Sequence, residues 1–142
     1  MDEVFADTNY LIALQIPRDS LHPIAVKLSA ELRSSTLIVT SELVLLEFPT
    51  HFSRSGATAR QQALATWKDL HRDPTVTIIP ATLSLLESAA TLYGRAGDKP
   101  WSLTDCASFV IMRERKIPNA LTFDHHLEQA GFLAMMRSGI TP

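Results

Sequence analysis

Short apolar runs alternate with longer amphipathic stretches along this chain. Residues 4–6 (V-F-A) make a brief apolar run that stops at Asp7. The runs 36–40 (T-L-I-V-T), 75–79 (T-V-T-I-I) and 120–123 (A-L-T-F) also have strand length and composition. Helices are predicted between them: from Asn9 (N-Y-L-I-A-L-Q), from Asp19 or Ser20 to about residue 32, and from a Ser41 cap through S-E-L-V-L-L-E-F. Further helices are predicted over 57–70, from a Thr82 cap to about 93, from Ser102 to about 115, and from Asp124 to Gly131. Residues 94–100 read as a loop, and a last strand is expected within 133–140. Strands alternating with helices imply βαβ units: an α/β fold with a parallel sheet covered on both faces and right-handed crossovers. In such sheets ligands bind off the carboxyl ends of the strands, where strand order reverses. The residues to examine are therefore those that directly follow each strand.

Asp7 follows the first strand and Asp124 the fourth, in matching contexts, F-A-D-T and T-F-D-H. Each has an ordinary reading as a helix N-cap. If those two strands are sheet neighbours, however, the two carboxylates converge on one crevice. Glu47 shares a helix face with Leu43 at i−4, which puts a carboxylate on or beside an apolar stripe, where an unpaired charge is costly. Its ordinary reading is an exposed acid at the edge of that stripe. Glu42 lies one residue past the Ser41 cap, where it complements the helix dipole, and is set aside. Asp105 falls in S-L-T-D, a capping-box pattern, yet it is the one acid in the most apolar helical stretch of the chain, L-T-D-C-A-S-F-V-I-M. A helix that apolar is central, and its first turn points into the crevice. Asp98, in the preceding loop, is either a further ligand or a solvated acid.

Composition narrows the chemistry. The 142 residues, 46% hydrophobic and 20% charged, fit one domain over 1–142. The single cysteine, Cys106, rules out an internal disulfide and any multi-cysteine zinc site, as expected of a reducing, cytoplasmic setting. No apolar run approaches the ~20 residues of a membrane span, and the acidic start, M-D-E-V-F-A-D, is unlike an export signal. A net charge of −2 argues against bulk electrostatic binding of nucleic acid. It leaves room for an enzyme that grips phosphate through metal and a local basic edge. Several carboxylates packed together raise one another's pKa unless a cation neutralises them. All-oxygen donors select hard ions, Mg²⁺ or Mn²⁺. One such ion, or two ~3.5–4 Å apart, is the equipment of phosphodiester hydrolysis.

The motifs F-A-D-T-N (5–9), T-S-E-L-V-L-L-E (40–47), D-K-P-W-S-L-T-D-C-A-S-F-V-I-M (98–112) and A-L-T-F-D-H-H-L-E-Q-A-G-F (120–132) resemble those of the PIN-domain nucleases, and within them the VapC-type toxins of type II toxin–antitoxin pairs. Their order and spacing cover nearly the whole chain. The W-S-L-T-D and T-F-D-x-H-x-x-Q-A-G-F blocks are specific, whereas D-T-N alone is weak. The resemblance implies a Rossmann-like three-layer sandwich with parallel strand order 3-2-1-4-5. It implies a catalytic metal site of Asp7, Glu47, Asp105 and Asp124, with Asp98 as a secondary candidate. Thr8, Asn9, Ser41, Thr104 and Thr122 become the hydrogen-bonding neighbours that orient those acids. The implied activity is Mg²⁺-dependent endoribonuclease, with Mn²⁺ as a substitute ion, on structured RNA such as tRNA or rRNA. The implied partners are a second copy of the chain and a cognate antitoxin. Leu127 stands where the family often has an aromatic residue, a change expected to affect packing only.

Other residues have plain readings. His125 and His126 suggest zinc, but adjacent histidines are expected to diverge, as a helix-start pair at the crevice rim. Arg18, Arg54, Arg60 and Lys99 are candidate phosphate contacts. Arg113, Arg115 and Lys116 lie at the far end of their helix and read as solvated or dipole-complementing. Phe48, Phe52, Trp67 and the Met135–Met136 pair are either core or an apolar patch that an antitoxin covers. A receiver domain would show adjacent early acids and a strand-end lysine, and a haloacid-type phosphatase would show D-x-D; this chain has D-T-N and no such lysine. A housekeeping RNA-processing nuclease and a catalytically silent PIN-fold binding module are the remaining alternatives.

Overall fold

The computed structural model describes residues 2–32 and 36–138. Strands β1 (Asp2–Ala6), β2 (Thr36–Ser41), β3 (Val76–Ile79), β4 (Asn119–Leu121) and β5 (Leu133–Ala134) form one sheet in the order β3-β2-β1-β4-β5. Every pairing is parallel. This is the expected strand order. The helices are α1 (Thr8–Gln15), α2 (His22–Leu32), α3 (Glu42–His51), α4 (Ala57–Arg72), α5 (Leu83–Arg95), α6 (Leu103–Arg115), α7 (His125–Gln129) and α8 (Met135–Ser138). No helix among the described residues is long and apolar enough to cross a membrane.

The central strand shows why V-F-A lacks polar alternation. Val4, Phe5 and Ala6 are buried because helices cover both faces of β1. From β1 the chain steps outward to β2 and β3, then returns to lay β4 on the other side of β1. Strand order thus reverses between β1 and β4, where a crevice opens at their carboxyl ends. Ala6 pairs with Leu121, and the Asp7 N–H donates to the Leu121 carbonyl at 3.1 Å, so the residues after the two strands stand level. Helix α6 is central, with Cys106, Ala107, Phe109, Ile111 and Met112 all buried.

Several boundaries differ from expectation, each for a local reason. Helix α2 starts at His22 because the Asp19 carboxylate takes the Leu21 N–H (2.8 Å) in a turn, and Pro23 then fits the first helical turn. Helix α3 continues through Pro49 to His51. Strand β4 stops at Leu121 because side chains take over the next amides: Phe123 N–H donates to Asn9 Oδ1 and Asp124 N–H to Thr122 Oγ1, both at 3.0 Å. The last strand is two residues long and turns into α8; the expected strand positions beyond Ser138 lie outside the described residues. The proposed apolar patch is corrected too. Phe48, Phe52, Met135 and Met136 are buried, and Trp67 packs half-buried against the core. Leu127 is also buried, filling the place of the absent aromatic.

Candidate active site

The crevice at the β1–β4 reversal, about 430 Å³, is lined by Asp7, Glu47, Asp105 and Asp124, the four acids that strand-end position and the family resemblance singled out. Thr8, Asn9, Ile12, Thr50 and His51 complete its walls. Among the described residues, no lysine or arginine lines the cluster to neutralise it.

Asp7 sits at the floor. It caps α1, with Oδ1 accepting the Thr8 N–H at 2.9 Å and Oδ2 accepting the Thr122 hydroxyl at 2.9 Å. The Thr122 oxygen in turn accepts from Asn9 Nδ2 and from the Asp124 N–H, both at 3.0 Å. This lattice ties the end of β1 to the end of β4 and fixes the position of Asp7. Burial pushes the Asp7 carboxyl up to about 6, against the lowering effect of its two hydrogen bonds; the Asp105 and Asp124 charges add to the rise. Both readings of this aspartate hold at once, since a cap is also the crevice floor.

Asp105 likewise fills both roles. The Ser102 hydroxyl accepts the Asp105 N–H and Asp105 Oδ2 accepts the Ser102 N–H, each at 3.0 Å, completing the capping box. The same carboxylate faces the crevice. Asp124 caps α7, with Oδ1 accepting the His126 N–H at 2.9 Å. Glu47 corrects the burial argument made for it: its side chain is exposed, so no desolvation cost marks it. It stays a candidate because it lines the crevice and because the Thr8 hydroxyl donates to Oε1 at 2.8 Å, bridging α1 to α3.

Of the neighbouring polar residues, Thr8 and Thr122 hydrogen-bond to the acids, while Asn9 reaches them only through the Thr122 hydroxyl. Ser41 instead caps α3, its hydroxyl accepting the Val44 N–H at 3.2 Å. Thr104 makes no hydrogen bond to the four acids. Asp98 is not brought to the crevice; its side chain is 78% exposed and pairs with Lys99 at 3.5 Å. The candidate phosphate contacts also lie outside the lining. Arg60 donates to the Ser53 carbonyl, and Arg18 lines a separate groove with Gln15, Ile16 and Phe52. Arg115 grips Glu3 at the opposite end of the sheet. Glu42 accepts the Ala81 N–H at 2.8 Å and stays out of the site.

Two histidines stand at the crevice that were not among the expected site residues. His51 lines the crevice one turn beyond Glu47, at the i+4 spacing that marks a shared helix face. His126 was placed at the rim, yet its Nδ1 lies 3.2 Å from Asp105 Oδ2 and 3.4 Å from Asp124 Oδ1, bridging two of the acids.

The donor set tests what the site can hold. Clustered oxygen donors without a lysine or arginine in the lining, one of them buried with its carboxyl pKa raised to about 6, fit a hard divalent cation.

The PIN domain model matches residues 4–133. The chain belongs to the PIN-domain family. PIN domains are metal-dependent nucleases, and this chain is an enzyme of that kind. Among curated proteins, the 23S rRNA-specific endonuclease VapC20 of Mycobacterium tuberculosis, from strains CDC 1551/Oshkosh and ATCC 25618/H37Rv, is similar to this PIN domain. It is 30% identical over 130 residues, spanning 92% of this chain and 95% of VapC20. The crystal structure of M. tuberculosis VapC20, a toxin that cleaves the sarcin–ricin loop, superposes with a TM-score of 0.82. That likeness is at 30% identity and covers 98% of this chain and 99% of VapC20. The PIN domain is therefore of the VapC type.

Proposed function

We propose that residues 1–142 act as one PIN domain whose Asp7, Glu47, Asp105 and Asp124 hold Mg²⁺, with Mn²⁺ as a substitute, for endoribonucleolytic cleavage of structured RNA. The observation that carries this is the convergence of four carboxylates, unaccompanied by lysine or arginine, on the crevice where strand order reverses. When bound, the ion supplies the water-activating and charge-stabilising chemistry of phosphodiester hydrolysis. The chain's own residues set the stage. Thr8 and Thr122 clamp the two oxygens of Asp7 from opposite sides. The Thr8 hydroxyl also orients Glu47. His126 spaces Asp105 from Asp124. The crevice is open to solvent on the Glu47 side, which gives a phosphate access.

Within structured RNAs the reading favours the large-subunit ribosomal RNA, because VapC20 acts on 23S rRNA. A homodimer and a cognate antitoxin belong to the same proposal, as does the toxin role over housekeeping RNA processing. The test is sequencing of RNA ends after induced expression, beside an Asp7→Asn control. New ends confined to ribosomal RNA in the wild type alone are expected, with growth arrest relieved by a co-expressed antitoxin. Ends confined to tRNA would replace the substrate. Identical ends with Asp7→Asn would overturn the site.

A further inference from the structure

Asp124 is followed by two histidines, and the structure turns both rings toward its carboxylate. Nδ1 of His126 lies 3.4 Å from Asp124 Oδ1, and Nδ1 of His125 lies 3.8 Å from the same oxygen. One ligand atom from each of the three residues falls within 4.8 Å of the other two. The expected divergence of adjacent histidines fails for a geometric reason. Consecutive side chains on a strand point to opposite faces, but in the first turn of a helix they are only about 100° apart. Here the ring centroids are 4.7 Å apart.

A tetrahedral ion bonded to nitrogen and oxygen at ~2.0–2.1 Å has ligand-to-ligand edges of about 3.3 Å. Both Asp124–histidine separations lie within about 0.5 Å of that edge. His126 is 20% exposed and its backbone N–H is fixed on Asp124; its Nδ1, 3.2 Å from Asp105 Oδ2, ligates once it gives up its proton and that contact. His125, 59% exposed, has room to rotate and close the remaining gap. Asp105 adds negative charge beside this position. Imidazole suits borderline transition ions and not Mg²⁺, which keeps to oxygen.

We infer that Asp124, His125 and His126 form a transition-metal site, taking Zn²⁺ or Co²⁺ in preference to Mg²⁺, at the α7 edge of the acidic crevice. The inference deepens the metal reading above and rests on its Asp124. The consequence is that the α7 side of the crevice distinguishes metals that the Asp7–Glu47 side does not.

The test is calorimetric titration of the full chain with Zn²⁺ and separately with Mg²⁺, together with side-chain ¹⁵N NMR of the histidines. Zn²⁺ is expected to bind at least about tenfold more tightly than Mg²⁺ and to shift ring nitrogens of His125 and His126. The double variant His125→Ala/His126→Ala is expected to lose at least about tenfold in Zn²⁺ affinity. Unmoved His125 and His126 resonances in the wild type, or undiminished Zn²⁺ binding in the double variant, overturn the site. The wild-type spectra decide even if that variant fails to fold. Asp7→Asn separates the two readings. Full Mg²⁺-dependent cleavage by Asp7→Asn defeats the four-carboxylate site and leaves the zinc shifts as they are. Lost cleavage with absent zinc shifts defeats only the transition-metal site.

Discussion

The two ends of β1 each carry an acid, and they differ in every respect that matters. At the amino end Glu3 is matched by Arg115, whose guanidinium donates to both carboxylate oxygens, at 2.7 and 3.3 Å. At the carboxyl end, four residues on, Asp7 is buried, accepts only neutral donors, and faces further carboxylates. One end of the strand thus holds an acid with its countercharge built in, and the other an acid without one, which on the proposed reading takes it from a bound cation.

The largest effect expected from this contrast is on cleavage. Asp7→Asn, or removal of divalent metal by a chelator, should lower RNA cleavage by roughly a thousandfold or more, with added Mg²⁺ restoring only the chelated wild type. A rate constant near wild type for Asp7→Asn would erase the distinction between the two ends. Next is the clamp: Thr122→Val removes the hydroxyl from Asp7 Oδ2 and should weaken metal binding by roughly 10–100-fold, as read by calorimetry. A Thr122→Ser variant keeps the hydroxyl and should recover most of the loss.

The pH dependence follows from Asp7, whose carboxyl is raised to about 6 by burial. Metal binding needs the ionised form, so cleavage should fall about tenfold for each pH unit below that value. Stability of the metal-free protein runs the other way. A raised carboxyl pKa stabilises the fold below the unfolded value near 4, and this contribution is lost as pH rises through about 6. Asp7→Asn should flatten that slope and stabilise the metal-free protein at neutral pH by on the order of 1–3 kcal/mol, measured by denaturant melts. Excess divalent metal should reverse the order. The smallest effect belongs to the other end of β1. Arg115→Met, which breaks a partly exposed pair, should cost about 0–1 kcal/mol and leave cleavage unchanged. A large loss of cleavage there would show that the paired end also serves the reaction.

Much of this was legible in the chain because it is locally encoded. V-F-A, stopping at Asp7, reads as a buried strand with an acid at its end, and S-L-T-D reads as a capping box; both are present. Asp124 was legible for the same reason, as a cap after an apolar run. Glu47 was reached by a different route than the structure supports. Its side chain is exposed, not buried, and is held by a hydroxyl 39 residues away in sequence. Asp98 stands next to the specific W-S-L-T-D block, yet it pairs with its own neighbour, Lys99.

What the sequence determined by itself was the succession of strands and helices and the caps, because periodicity and capping depend on residues within a turn of one another; the set of four candidate acids was complete only with the family resemblance. What the tertiary structure decided was convergence. The β1–β4 pairing brought Asp7 level with Thr122, 115 positions along the chain, and α6 and α7 brought His126 between two aspartates. Those contacts depend on which strands become neighbours and on how far each ring turns about its own helix. Long-range packing sets both quantities, and no local spacing records them.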